Sequence, residues 1–201
     1  MPDSTTTIRQ LFRMSIIWLT ALASATASAH GGADPSHTHG WMAGLLHPML
    51  GADHLAVMVA VGIWGARLPG TAWSTPIAFT VALLTGALLA QAGISLPWIE
   101  PTLVASLFVM ALLVLTQANM GTLPSGLLVG SMALFHGAAH GQELVGAGAL
   151  FGMVTATALL HLTGMALGRF LLPRYHWMGR TAALLLGWVG ALTAWTLVAA
   201  H

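Results

Sequence analysis

The chain alternates long apolar runs with short polar breaks. Six runs, at 42–66, 72–93, 98–118, 123–146, 148–171 and 178–200, are each long enough to cross a ~30 Å hydrocarbon core as a helix. Lipid offers no partner to open backbone groups, so helices are the predicted form. The breaks carry turn residues: Pro69-Gly70, Gly93 to Pro97, Asn119 to Pro124, Gly146 to Gly148, and Pro173 with Gly179. The predicted fold is all-α, a polytopic membrane bundle with six transmembrane helices in residues 42–201.

A shorter apolar run precedes these. Arg9 and Arg13 lead into Met14 to Ala23, and Ala27-Ser28-Ala29 follows with the small-x-small pattern of a cleavage site. Residues 1–29 therefore read as a signal peptide cut before His30, whereas an uncleaved start would add a seventh span. The mature chain would open with a His-rich segment at 30–41, outside the cytoplasm. Its His30, His37 and His39, with Asp34, are suited to collecting metal at an entrance.

Composition supports the membrane reading. Residues are 57% hydrophobic and only 5% charged, where a water-soluble domain carries about 25% charged residues. Arg67, Arg169, Arg174 and Arg180 follow the first run or surround the last connection. The positive-inside rule makes those connections cytoplasmic, which puts Glu100 and both mature termini on the periplasmic side of a Gram-negative inner membrane. Six scattered Arg without a Lys make no nucleic-acid surface. The absence of Cys excludes disulfides, thiolate sites and Cys nucleophiles, and no phosphate-binding Gly-x-x-x-x-Gly-Lys loop is present. Glycines spaced by four, at Gly126/Gly130, Gly137/Gly141, Gly148/Gly152 and Gly164/Gly168, predict close helix packing.

Within this apolar background the ionisable residues cluster, and such residues inside membrane spans mark functional sites. His47-Pro-Met-Leu-Gly-Ala-Asp53-His54 places His47 and His54 two turns apart, nearly on one face of a continuous helix. Pro48 and Gly51 between them can loosen that helix and free carbonyls toward a cavity. His136 and His140 share a face at i and i+4, with Glu143 one turn on, a spacing used for paired metal ligands. His161 lies midway along the fifth run, with Thr157 a turn before it. At ~1.5 Å rise per residue, His54, His136 and His161 fall near the midplane, with Asp53 and His140 close by and His47 and Glu143 nearer the outside. The expected arrangement is a ladder from the periplasmic face to the centre. Imidazoles and carboxylates without Cys suit Ni, Co, Zn or Cu(II). The methionines, Met58 among them, read mainly as packing.

These segments resemble a known family. The leader ending Ala-x-Ala-His, the motif His47-Pro-x-x-Gly51-x-Asp53-His54-x-x-x-Met58, the motif Phe135-His136-Gly-x-Ala-His140-Gly-x-Glu143, and Ala-Thr157-Ala-Leu-Leu-His161-x-x-Gly164 are similar to those of the HupE/UreJ family. The resemblance spans essentially the whole mature chain. It implies a secondary permease for Ni²⁺, or Co²⁺, that serves nickel enzymes such as hydrogenase or urease. The ion would be cargo, with no permanent cofactor. A homo-oligomer and a downstream metallochaperone both stay open as partners.

The residues also admit an enzyme. Three His and an Asp around Zn²⁺ with an open position can activate water, and a zinc-dependent intramembrane hydrolase is the alternative. Ser131, near His136, is the polar helper such a site would use. A haem protein is a weaker third option, since it needs neither Asp53 nor Glu143.

Overall fold

The structure, a computed structural model, describes residues 40–69 and 72–200. The expected signal peptide and His30, Asp34, His37 and His39 lie outside these residues. Seven α-helices occur in the described part. They are α1 (Trp41–Leu50), α2 (Ala52–Gly65), α3 (Ser74–Gln91), α4 (Ile99–Thr116), α5 (Thr122–Glu143), α6 (Ala147–Ala166) and α7 (His176–Ala199). A π-helical turn, Leu167–Leu171, continues α6. No strand occurs among the described residues, in keeping with the all-α expectation.

Four helical stretches are long and apolar enough to cross a membrane: Ser74–Gln91, Ile99–Thr116, Ala147–Phe170 and Trp177–Ala199. The α1–α2 pair makes a fifth only if its two bent parts count as one span. The 22-residue α5 is not among them, because its glycines, serines and histidines dilute the apolar run.

The first expected span needs correction. Residues 42–66 are not one helix; α1 and α2 meet at an 86° bend. Pro48, inside α1, removes a backbone donor and crowds the preceding turn. Gly51, with φ −82° and ψ 113°, leaves the helical region and both ends α1 and starts α2. Gly is a poor helix former, so Pro48 and Gly51 together favour a break.

Glycines set the packing. On the α3–α5 contact, a Cβ on Gly137 would lie 1.8 Å from the Leu83 carbonyl oxygen, and one on Gly86 would lie 2.0 Å from that of Leu134. Gly44 and Gly152 do the same between α1 and α6, and Gly62 and Gly164 between α2 and α6. Backbones therefore touch where lipid supplies no hydrophobic drive to hold helices together. Of the four-spaced pairs, Gly137/Gly141 and Gly164/Gly168 make such approaches, whereas Gly126 and Gly130 meet only Ala side chains and a carbonyl at ordinary distance. Helix α2 ends against the segment that follows α4, where the Trp64 indole N–H donates to the Ala118 carbonyl at 2.9 Å.

Candidate metal site

The break at Gly51 places Asp53 in the first turn of α2. There its Oδ1 accepts two bonds from His54, one from the backbone N–H and one from ring Nδ1, each 2.9 Å long. A neutral imidazole that donates a hydrogen bond from its Nδ1–H to a carboxylate keeps a lone pair on Nε2, the arrangement that orients metal-binding histidines. The same device recurs twice. His136 Nδ1 donates to the Met132 carbonyl one turn back on α5 at 3.0 Å. His161 Nδ1 donates across helices to the Met58 carbonyl at 2.7 Å. Carbonyls only accept, so both histidines carry the proton on Nδ1.

The rings meet in sequence. His47 and His140 have centroids 5.0 Å apart, His54 and His140 4.3 Å, and His54 and His136 5.3 Å. The Nε2 of His54 and both ring nitrogens of His140 are buried without a hydrogen-bond partner. His47 Nε2 lies 2.7 Å from Glu143 Oε2. One donor atom from each of His47, His140 and Glu143 falls within 4.8 Å of the others. Ligands ~2.1 Å from a shared ion stand up to ~4.2 Å apart, so small side-chain movements would close this group on a cation. Exposure falls inward: Glu143 56% and His47 33%, then His54 15%, then His136 and His140 at 1% each.

The structure thus brings together His47, Asp53, His54, His136, His140 and Glu143. Two expectations change. His47 and His54 do not share a face of one helix. They stand on helices nearly at right angles and reach His140 from two directions. His161, expected on the same ladder, is joined to the cluster through an aromatic ring. Phe79 of α3 has its centroid 5.8 Å from His136 and 5.1 Å from His161. Phe79 carried no signal in the sequence, since an apolar residue in an apolar run looks like packing. Nor did Gln91, whose amide donates to the Leu144 carbonyl at 2.8 Å and fastens the end of α5 to α3. Ser131 is exposed, with its hydroxyl bonded to the Leu128 carbonyl on its own helix, away from the cluster. Met58 does more than pack: its sulfur accepts the Thr157 hydroxyl at 3.5 Å.

Comparison with known proteins gives a consistent result. The family model described as HupE / UreJ protein matches residues 17–193. Protein HupE of Rhizobium leguminosarum bv. viciae is 37% identical over 186 residues, which cover 90% of this chain and 94% of that protein. No solved structure matches the chain.

Proposed function

The chain belongs to the HupE/UreJ family, and from that premise we propose that it is an inner-membrane permease moving Ni²⁺, or Co²⁺, into the cell. One observation carries this reading: four imidazoles and two carboxylates converge in a chain that is only 5% charged. Their donors are nitrogen and oxygen, the set that suits first-row divalent ions. Glu143 and His47, the most exposed members, take the ion first. The buried Nε2 of His54 and the nitrogens of His140 replace its water, and Asp53 and Glu143 offset its charge.

Six spans follow if the bent α1–α2 pair crosses as one unit and α5 crosses despite its polar load. The Arg distribution then leaves both mature termini periplasmic, after removal of residues 1–29. A membrane potential that is negative inside favours entry by ~2.3 kcal/mol per charge per 100 mV, doubled for a divalent ion. That gradient alone can drive inward flow, and the metal passes on to a hydrogenase- or urease-type enzyme.

The hydrolase reading loses support from Ser131, which faces away from the cluster. Purified protein in vesicles under an imposed potential, with Ni²⁺, Co²⁺ and Zn²⁺ in competition, tests the proposal. Accumulation of Ni²⁺ inside, reduced by Co²⁺, is expected. Absence of potential-driven uptake of all three metals would overturn it.

A further inference from the structure

We propose that His161 forms a second, inner station for the transported ion, divided from the His47–His54–His136–His140 cluster by the ring of Phe79. The inference rests on the permease reading and adds a stepwise path to it.

The dividing element is fully buried. Phe79 touches both imidazoles, tilted at 56° to His136 and edge-on at 88° to His161. A phenyl ring offers an ion no lone pair, so the run of donors is interrupted there. On the far side, His161 is held from both ends. Its Nδ1 proton is engaged by the Met58 carbonyl. Its own backbone is pressed against α2, since a Cβ on Gly62 would lie 2.3 Å from the His161 carbonyl oxygen. The remaining nitrogen, Nε2, is buried and has no hydrogen-bond partner. A histidine that served only to join α6 to α2 would need nothing beyond the Nδ1 bond. An acceptor buried without a partner is unfavourable, and an ion is one partner that would satisfy it.

The two stations differ in charge. Asp53 and Glu143 stand with the outer cluster, and Glu100 lies in the first turn of α4. His161 is bonded to the Met58 carbonyl, and the Met58 thioether and the Thr157 hydroxyl, one turn before His161, are bonded to each other; all of these groups are neutral. An ion is held firmly first and weakly second, which suits release, because conduction needs sites weak enough to leave. Transfer between them requires the Phe79 ring to swing aside.

The test compares binding with uptake in the full-length protein, using Ni²⁺ as the probe. His161→Ala removes the donor. His161→Gln exchanges the imidazole nitrogen for an amide oxygen, a poorer ligand for Ni²⁺, while keeping an amide N–H for the Met58 carbonyl. Calorimetry in detergent reads binding, and potential-driven uptake into vesicles reads transport. For both variants, Ni²⁺ affinity at the outer cluster should stay near that of the wild type while uptake falls about tenfold or more, the scale of losing a metal-orienting group. A parallel fall of binding and uptake would make His161 a member of the outer cluster and overturn the proposal. Normal uptake by either folded variant would reduce His161 to packing and overturn it as well. Failure of the wild-type protein to take up any metal is a different result, since it removes the permease reading itself.

Discussion

His54 and Asp53, neighbours in sequence, are tied twice through one oxygen: Asp53 Oδ1 accepts both the backbone N–H and the ring Nδ1–H of His54 at 2.9 Å. The carboxylate fixes which nitrogen keeps its lone pair and where that lone pair points. Asp53→Asn keeps an acceptor oxygen but removes the charge. It should weaken Ni²⁺ binding by about 10- to 100-fold, the usual cost of losing an outer partner of a ligating histidine. His54→Ala should weaken it further. Calorimetric titration of the two purified variants decides the order.

Gly51→Ala should damage the same pair without unfolding the protein. The backbone at Gly51, φ −82°, accepts alanine. The added Cβ, however, would sit 3.0 Å from His54 Nδ1 and 3.1 Å from Asp53 Oδ1. Metal affinity should fall by about tenfold, while the thermal melt shifts by only a few degrees, as for a change of about 1 kcal/mol or less. An unchanged affinity would show that the pair relaxes freely.

Close packing gives a contrast between two glycines on α5. Gly137→Val should prevent stable accumulation in the membrane, because its side chain would collide with the Leu83 backbone. Gly130→Ala should leave stability unchanged or raise it by up to about 1 kcal/mol, since Ala is the better helix former and its Cβ would meet nothing nearer than 3.8 Å. Quantifying folded protein after detergent extraction compares the two.

Acid should weaken metal binding. An imidazole ligates only as the neutral ring, with an ordinary pKa of ~6.5, so protons and metal compete for one lone pair. The cluster has four imidazoles in contact. Lowering pH from about 7.5 to about 5.5 should therefore reduce Ni²⁺ affinity more steeply than one proton per ion. His54→Ala should flatten that slope. A binding constant independent of pH over this window would assign the ion to carboxylates and carbonyls instead.

Much of the helical plan was visible along the chain because lipid leaves one solution to the backbone problem. The boundaries of α3, α4 and α6 follow directly from runs of apolar residues between Gly, Pro and Asn. The grouping of His136, His140 and Glu143 was visible too, because i, i+4 geometry is local. The right-angle turn at Gly51 was less so. Pro48 and Gly51 announced a weak point, but the angle depends on how α1 docks against Ala149 and how α2 docks against His161 and Met165, all on α6. Phe79 was illegible for a related reason: its importance lies in which two histidines other helices bring to it. The Met58 carbonyl is a backbone group that any residue supplies, so its bond to His161 left no trace in side-chain type.

The bend at Gly51 has an electrostatic consequence. Three helix ends meet near the cluster. His47 lies in the last turn of α1 and His140 in the last turn of α5, so both helices present their carbonyl ends, which carry partial negative charge. Helix α2 instead starts there with its positive end, and Asp53 sits in that first turn to counter it. A continuous helix over 42–66 would have buried its peptide dipoles head to tail through this region, with no carbonyl terminus at the level of His47. On the proposed reading, the carbonyl ends of α1 and α5 add partial negative charge to that of the carboxylates around the cation.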